Sequence, residues 1–374
     1  MKRMRETAPT ISREELQGLL ARGAPVTVLD VRPAAERAEW AIPGSVHLDA
    51  YGALRRHDPN ALAEFQPVNG GPVVTVCAAG KTSIIAAQLL RGRGLDARSL
   101  KGGMREWSLA WNTALVPLPD SAAQIVQVRR TGKGCLSYLV GSHGAAAVID
   151  ASLPPQAYVH LADQCGWQIR WVIDTHVHAD HLSRARALAT DCGATLHLPA
   201  TDRVSFAHTP LQDGEIVRVG SVPLRVLHTP GHTMESTCYL LDERALFTGD
   251  TVFLDAVGRP DLEASPDETR HRTQLLHASL RRLFTLPNDT LVLPCHTNTP
   301  VAFDRRPIVA RLSEVRERTA LLHLDEARFV TAILARIPPT PPNHHRIVAL
   351  NLAGTLPEGD PTELEAGANR CAVA

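Results

Sequence analysis

Lysine is scarce in this 374-residue chain: of its 39 basic residues only Lys2, Lys81, Lys101 and Lys133 are lysine. The 39 acidic residues balance them, so the formal net charge is zero. A general nucleic-acid binder shows a basic excess or stripe, and none is present. The heavy use of arginine and alanine reads as compositional bias and carries no functional information. Cys-x-x-Cys spacing is also missing. The seven cysteines (Cys77, Cys135, Cys165, Cys192, Cys238, Cys295 and Cys371) are odd in number and widely spaced. A disulfide framework is therefore not expected, and a reducing compartment is. No apolar run approaches the ~20 residues of a membrane-spanning helix. Residues 1–17 carry Lys2, Arg3 and Arg5 without the apolar stretch of a signal peptide, and Glu6, Glu14 and Glu15 count against a mitochondrial presequence. The expectation is a cytoplasmic protein with no membrane or nucleic-acid partner, for which a homodimer is compatible.

What is present is organised in two parts, as a chain of this length suggests. Over the first ~115 residues, strand-like and helix-like patterns alternate. Val26-Thr27-Val28-Leu29-Asp30 and Pro72-Val73-Val74-Thr75-Val76 predict buried parallel strands, and residues 83–93 predict a buried helix. Val116-Pro117-Leu118-Pro119-Asp120 predicts an extended linker. Beyond it, hairpin-like strands are expected over 135–140, 145–149, 169–173, 215–219, 224–227, 238–241, 245–247 and 290–293. Helices are expected over 181–191 and 267–283, the latter with a Leu275, Leu276, Leu280, Leu283 stripe for core packing. Residues 304–336 read as mostly helical, and residues 357–374 as a disordered tail.

The chemistry is concentrated at two places. The first is Thr175-His176-Val177-His178-Ala179-Asp180-His181, at the end of an expected strand, where an α/β fold places its functional loops. His176 and His178 lie two apart and point the same way in an extended segment. Further ligand-type residues follow later strand-like runs: His232 in His228-Thr229-Pro230-Gly231-His232, Asp250 in Thr248-Gly249-Asp250, and His296 in Pro294-Cys295-His296. Imidazoles and carboxylates of this kind suit zinc, iron or manganese. Any one histidine is more often structural; a set recurring at successive strand ends is not. Cys295 reads as wall packing beside His296.

The second place is Cys77-Ala78-Ala79-Gly80-Lys81-Thr82, between a buried strand and a helix. Its amides and the helix N-terminus form a cradle that favours negative charge and suits a persulfide anion, with Lys81 adding a cation. Gly80-Lys81-Thr82 mimics the end of a phosphate-binding loop. The first glycine of that motif would fall at Thr75, so nucleotide binding is rejected.

Residues 122 to about 300 resemble the metallo-β-lactamase superfamily through the His-x-His-x-Asp-His signature and His232, Asp250 and His296. The resemblance implies an αββα sandwich with metal at one edge. Gly258-Arg259-Pro260-Asp261-Leu262, Cys135-Leu136-Ser137-Tyr138-Leu139 and residues 337–351 resemble persulfide dioxygenases. That family implies one Fe(II) per chain held by His176, His232 and Asp250, a two-histidine, one-carboxylate triad with open positions. His178, Asp180, His181 and His296 would then orient the ligands or hold a second metal. Arg259 is expected to hold Asp261 or a substrate carboxylate. Thr297-Asn298-Thr299 stands where those enzymes usually have a tyrosine, which puts the substrate pocket in question.

Residues 10 to about 116 resemble a rhodanese sulfurtransferase domain. The matches are Val28-Leu29-Asp30-Val31-Arg32, Ile42-Pro43-Gly44-Ser45, the Cys77 loop and Leu100-Lys101-Gly102-Gly103-Met104-Arg105-Glu106-Trp107, with Trp40-Ala41 in place of the usual Gly-His. The resemblance makes Cys77, with Gly80, Lys81 and Thr82, the sulfur-transfer site. Asp30 and Arg32 read as structural.

The fold class expected is therefore α/β. A rhodanese domain (10–116, a parallel sheet flanked by helices), a linker (117–121) and a metallo-β-lactamase-fold domain (122–356) precede the tail. The expected function is oxidation of glutathione persulfide or a similar small persulfide with O₂ to sulfite, coupled to sulfur transfer involving thiosulfate or sulfite. Two alternatives stand. One is a glyoxalase II-like thioester hydrolase with two metals, zinc among them; the other is a sulfur-carrier or redox-sensor protein with a structural metal.

Overall fold

A computed structural model describes residues 9–68 and 70–374. The basic residues 1–8 of the start therefore lie outside the described residues. The first part is a five-stranded sheet in the order Thr10–Ile11, Ala97–Leu100, Val73–Val76, Thr27–Asp30, Val46–His47. Every pairing in it is parallel. Its central strands are buried along their whole length, as a sheet covered on both faces requires. Helix Lys81–Gly92 packs on one face through Ala86, Ala87 and Leu90. Leu16, Trp40, Met104 and Trp107 cover the other.

The second part is a four-layer sandwich. A seven-stranded sheet runs Thr209–Leu211, Thr195–Pro199, Gln168–Ile173, Ala145–Ile149, Leu136–Ser142, Gln124–Arg129, Asn112–Val116. A six-stranded sheet runs Ile216–Val219, Val222–His228, Thr237–Leu241, Ala245–Gly249, Leu291–Pro294, Ala310–Arg311. Their inner faces bury Ile125, Tyr138, Val140, Leu224, Tyr239 and Phe247 against each other. Helices Pro155–Cys165 and Ala185–Cys192 cover the outside of the first sheet. Pro266–Leu283 and Glu326–Arg336 cover the second, with Leu276, Leu280 and Leu283 as the buried stripe. This is the αββα arrangement expected, beside the expected parallel sheet.

Three expectations are corrected. Asn112–Val116 is not the end of the first part: it pairs antiparallel with Gln124–Arg129, so Pro117 to Ser121 form a hairpin connection within the sandwich, not a linker between domains. Its side chains include the buried Ala114 and Val116 flanking the exposed Leu115, an alternation that the proline-rich stretch masked. The helix expected over 181–191 starts only at Ala185, because Leu182 and Ser183 spend their amides on side chains from the C-terminal region. Residues 357–374 are packed, not disordered. Thr362–Glu365 is a helical turn, and Ala372–Val373 pairs with Val257–Gly258. Leu364, Glu365, Cys371 and Val373 are buried within an otherwise polar segment.

The two parts are joined by polar contacts around residues 130–134. Trp40, at the position that departs from the rhodanese pattern, is buried and donates from Nε1 to the Thr131 carbonyl at 3.1 Å. Arg130 Nε donates to the Ser108 carbonyl at 2.6 Å. Arg105 pairs with Glu363 at 2.8 Å, so the tail also bridges the parts.

Candidate metal centre

The seven-stranded sheet delivers Asp174 to His181 at the C-terminal end of Gln168–Ile173. Asp150, at the end of the neighbouring strand, anchors this loop. It accepts from the Thr175 amide at 2.7 Å and from the Thr175 hydroxyl at 3.0 Å. With that hydroxyl donating, its oxygen accepts from His176 Nδ1 at 2.9 Å. The hydrogen of His176 therefore sits on Nδ1, and Nε2 presents a bare lone pair. His232 is set the same way: Nδ1 donates to the Arg259 carbonyl at 2.7 Å, which leaves Nε2 free. Asp250 follows strand Ala245–Gly249. Gly249 has φ +49, and a Cβ there would lie 2.6 Å from Thr175 Oγ1, so only glycine lets the two loops meet.

These three loops converge. Asp250 Oδ2 lies 3.7 Å from His176 Nε2 and 3.4 Å from His232 Nε2, and all three residues are buried. Their ligand atoms lie within 4.8 Å of one another. His176 Nε2 and Asp250 Oδ2 have no hydrogen-bond partner. Buried polar atoms are almost always paired, so two orphans aimed at a common point fit a metal ion. Burial, with His178 nearby, holds His176 well below the ordinary imidazole range, which keeps it neutral as a ligand must be.

The other Asp250 oxygen is engaged elsewhere. Oδ1 accepts from His296 Nδ1 at 2.6 Å and from the Cys295 thiol at 2.8 Å. His296 Nε2 reaches Asp180 Oδ2 at 2.8 Å, and Asp180 Oδ1 meets His181 Nδ1 at 3.0 Å. Burial opposes charge on His296, but Asp180 and Asp250 on its two sides push it well above its ordinary value. Burial likewise opposes charge on His181, which Asp180 and Cys135 raise to about 9. His178 Nε2 faces Asp150 Oδ1 at 3.2 Å. Of the residues predicted from sequence, all seven metal-type side chains meet here.

Several contributors escaped the sequence. Cys135 joins Asp180, His181 and His296 in a fully buried cluster with metal-ligand spacing. Burial would raise its thiol, yet His181 brings it down to about 5. Asn351 donates from Nδ2 to the carbonyls of His178 and His181 at 2.8 and 2.9 Å, and accepts from the Ser183 amide. Glu365 accepts from the Leu182 amide at 2.9 Å, from Arg184 at 2.6 Å on each oxygen, and from Arg130 at 3.0 Å. No short motif marks such long-range partners.

Arg259 takes the first of its two expected partners. It donates to both Asp261 oxygens at 2.8 Å and to the carbonyls of Pro338, Pro339 and Arg370 at 2.9, 3.1 and 3.0 Å. These five bonds equal the donor capacity of a guanidinium, so none is left for a substrate carboxylate. Asp261 is the group it holds. Thr297-Asn298-Thr299 lines a cavity of about 300 Å³ with Phe253, Leu254 and His296.

In the first part, Cys77 is buried at the end of strand Val73–Val76. Its sulfur accepts from the Ser83 amide, in the first turn of helix Lys81–Gly92, at 3.3 Å. Ser83 Oγ lies 3.3 Å from the same sulfur and 2.8 Å from Ser99 Oγ. Gly80 turns the loop at φ +78, Thr82 is buried and Lys81 is exposed. Gly103 lets the closing segment lie on the loop: a Cβ there would sit 2.2 Å from the Cys77 carbonyl. Met104 N donates to that carbonyl and Arg105 N to that of Ala78.

Comparison with known proteins agrees with this geometry. Residues 130–296 match the Metallo-beta-lactamase superfamily and residues 12–110 the Rhodanese-like domain. Hydroxyacylglutathione hydrolase of Rhodopseudomonas palustris is 36% identical over 151 residues, covering 39% of this chain and 55% of that protein. Its namesake from Methylococcus capsulatus is 34% identical over 199 residues, 51% of this chain and 74% of the relative. Among solved structures, a metallo-beta-lactamase from Staphylococcus aureus aligns with TM-score 0.57 and 25% identity over 63% of this chain and 74% of the other. ETHE1 from Myxococcus xanthus aligns with TM-score 0.55 and 29% identity over 62% and 98%. The chain belongs to the metallo-β-lactamase superfamily and carries a rhodanese-like domain on its N-terminal side.

Proposed function

We propose that this protein oxidises a small persulfide, glutathione persulfide or a close relative, to sulfite at a single ferrous iron, and that Cys77 exchanges sulfur with the products. The overall change balances as persulfide plus O₂ plus water giving thiol, sulfite and two protons. The division of labour at Asp250 carries the reading. One oxygen joins His176 Nε2 and His232 Nε2 in a two-histidine, one-carboxylate triad. The other is taken by His296, itself held by Asp180. Iron held by that triad would supply the activation of O₂. The chain's own groups hold neutral ligand faces on His176 and His232 and keep Asp250 ionised. The cavity beside Thr297 to Thr299 is the space for the thiol carrier. In the first part, the Cys77 thiolate attacks the sulfane sulfur of thiosulfate. Sulfite leaves with the bonding pair, and a cysteine persulfide remains on the Ser83 amide. The reverse step joins sulfite to that persulfide sulfur and regenerates the thiolate.

A second reading keeps a specific footing: a hydrolase of glutathione thioesters with two metals. Several relatives are named hydroxyacylglutathione hydrolase, and Cys135, Asp180, His181 and His296 form a further metal-type cluster beside Asp250. Metal analysis of purified protein separates the two. The dioxygenase reading expects one iron per chain, lost on His232→Ala; two zincs per chain lost together on Asp250→Ala would favour the hydrolase.

A further inference from the structure

We propose that Glu263, His344 and His345 form a peripheral site for a divalent transition-metal ion, zinc by donor chemistry, that latches the loop following Gly258 to the helix carrying Asn351. His344 is only 7% exposed. Its Nδ1 donates to the Pro341 carbonyl at 3.1 Å, which fixes the hydrogen there and turns the Nε2 lone pair towards Glu263 Oε1, 3.4 Å away. His345 Nδ1 contacts the same carboxylate oxygen, and the two imidazole rings lie tilted at 39° with centroids 3.8 Å apart. The two nitrogens and the carboxylate oxygen lie within 4.8 Å of one another, a spacing one ion can span. Two imidazoles and one carboxylate suit zinc, copper(II) or nickel rather than the oxygen-only preference of calcium or magnesium.

The surroundings present these donors instead of neutralising them. Glu263 sits in the left-handed region at φ +56, unusual for a side chain with a Cβ. The nearby cation, Arg272, donates to the main-chain carbonyls of Leu262 and Glu263, at 3.0 and 3.4 Å. The carboxylate thus faces the histidines.

The site lies where a latch has consequences. Its loop contains Arg259, whose carbonyl orients His232. Its helix, His344–Ala353, carries Asn351 in its last turn, and Asn351 holds the carbonyls of His178 and His181. Leu262 and Val348 pack together on Ala179 between the two. An ion at Glu263, His344 and His345 closes this clamp from outside, whichever reaction the inner centre runs.

The test is equilibrium dialysis of the full chain against zinc, with bound metal counted per chain for the wild type, His345→Ala and Glu263→Gln. His345 has a 76% exposed side chain, so its loss leaves the fold intact, and Glu263→Gln keeps the shape of the acid. The proposal expects each variant to bind one zinc fewer than the wild type. It also expects zinc to slow proteolysis of the loop in the wild type and not in the variants. Equal stoichiometry in all three proteins would overturn it and leave a histidine–carboxylate ion pair.

Discussion

Cys77→Ser is expected to lower thiosulfate sulfurtransferase activity by at least about 1000-fold, the scale of losing a covalent nucleophile, while oxygen uptake with glutathione persulfide stays at the wild-type rate. The first effect follows from chemistry. A serine hydroxyl does not displace sulfite from thiosulfate, and no other cysteine shares the loop. The second follows from topology. Cys77 lies in the five-stranded sheet, whereas His176, His232 and Asp250 are carried by the two sheets of the sandwich. Serine is also nearly isosteric, and Ser83 N and Oγ would still find an acceptor. Sulfite release from thiosulfate and oxygen consumption, followed on the same preparation, check both. Retained transferase activity would clear Cys77 of the role. Loss of both activities would mean that the two parts depend on each other through the junction around Trp40 and Arg130.

Glu365→Ala is expected to be among the most destabilising single changes in the chain. Glu365 is fully buried and accepts from Arg130, Arg184 and the Leu182 amide. Its removal strands two buried guanidinium groups, which costs about 3–5 kcal/mol, and lowers the melting temperature by on the order of 10 °C for a domain of this size. Metal retention should fall as well, because Leu182 follows His181 directly. The acid range provides an independent check. Burial alone would raise the Glu365 pKa, but Arg130 and Arg184 hold it far below its ordinary 4.5. The contribution is complete above about pH 4.5, where the unfolded chain is ionised, and is lost as the pH falls from there towards the folded value. Melting curves of Glu365→Gln should therefore depend less on pH below 4.5 than those of the wild type. Wild-type melting temperature in Glu365→Ala would show that the arginines find other partners.

Local patterns made the two sheets and the ligand loops legible in the sequence. Buried strands such as Thr27–Asp30 and Val73–Val76 are built around short apolar stretches, and the metal residues cluster at strand ends within short motifs. Strand Asn112–Val116 was not legible, because its partner lies across a proline-rich connection that resembles a linker. The packed tail was not legible either. Its composition is polar, and its partners are distant: Glu365 meets arginines that precede it by 235 and 181 residues, and Ala372–Val373 pairs with Val257–Gly258. Arg259 shows a different limit. The motif marks it, but whether a guanidinium faces substrate or main chain depends on which carbonyls the fold brings to it, here those of Pro338, Pro339 and Arg370. The split role of Asp250 likewise depends on His296, which the sequence places 46 residues away.

The most direct measurement is oxygen consumption by the iron-loaded full chain on addition of glutathione persulfide, with sulfite and glutathione measured in parallel. The account predicts one O₂ consumed and one sulfite formed per persulfide, and no uptake after His176→Ala or Asp250→Ala. No oxygen uptake with persulfide, together with rapid hydrolysis of a glutathione thioester, would contradict it.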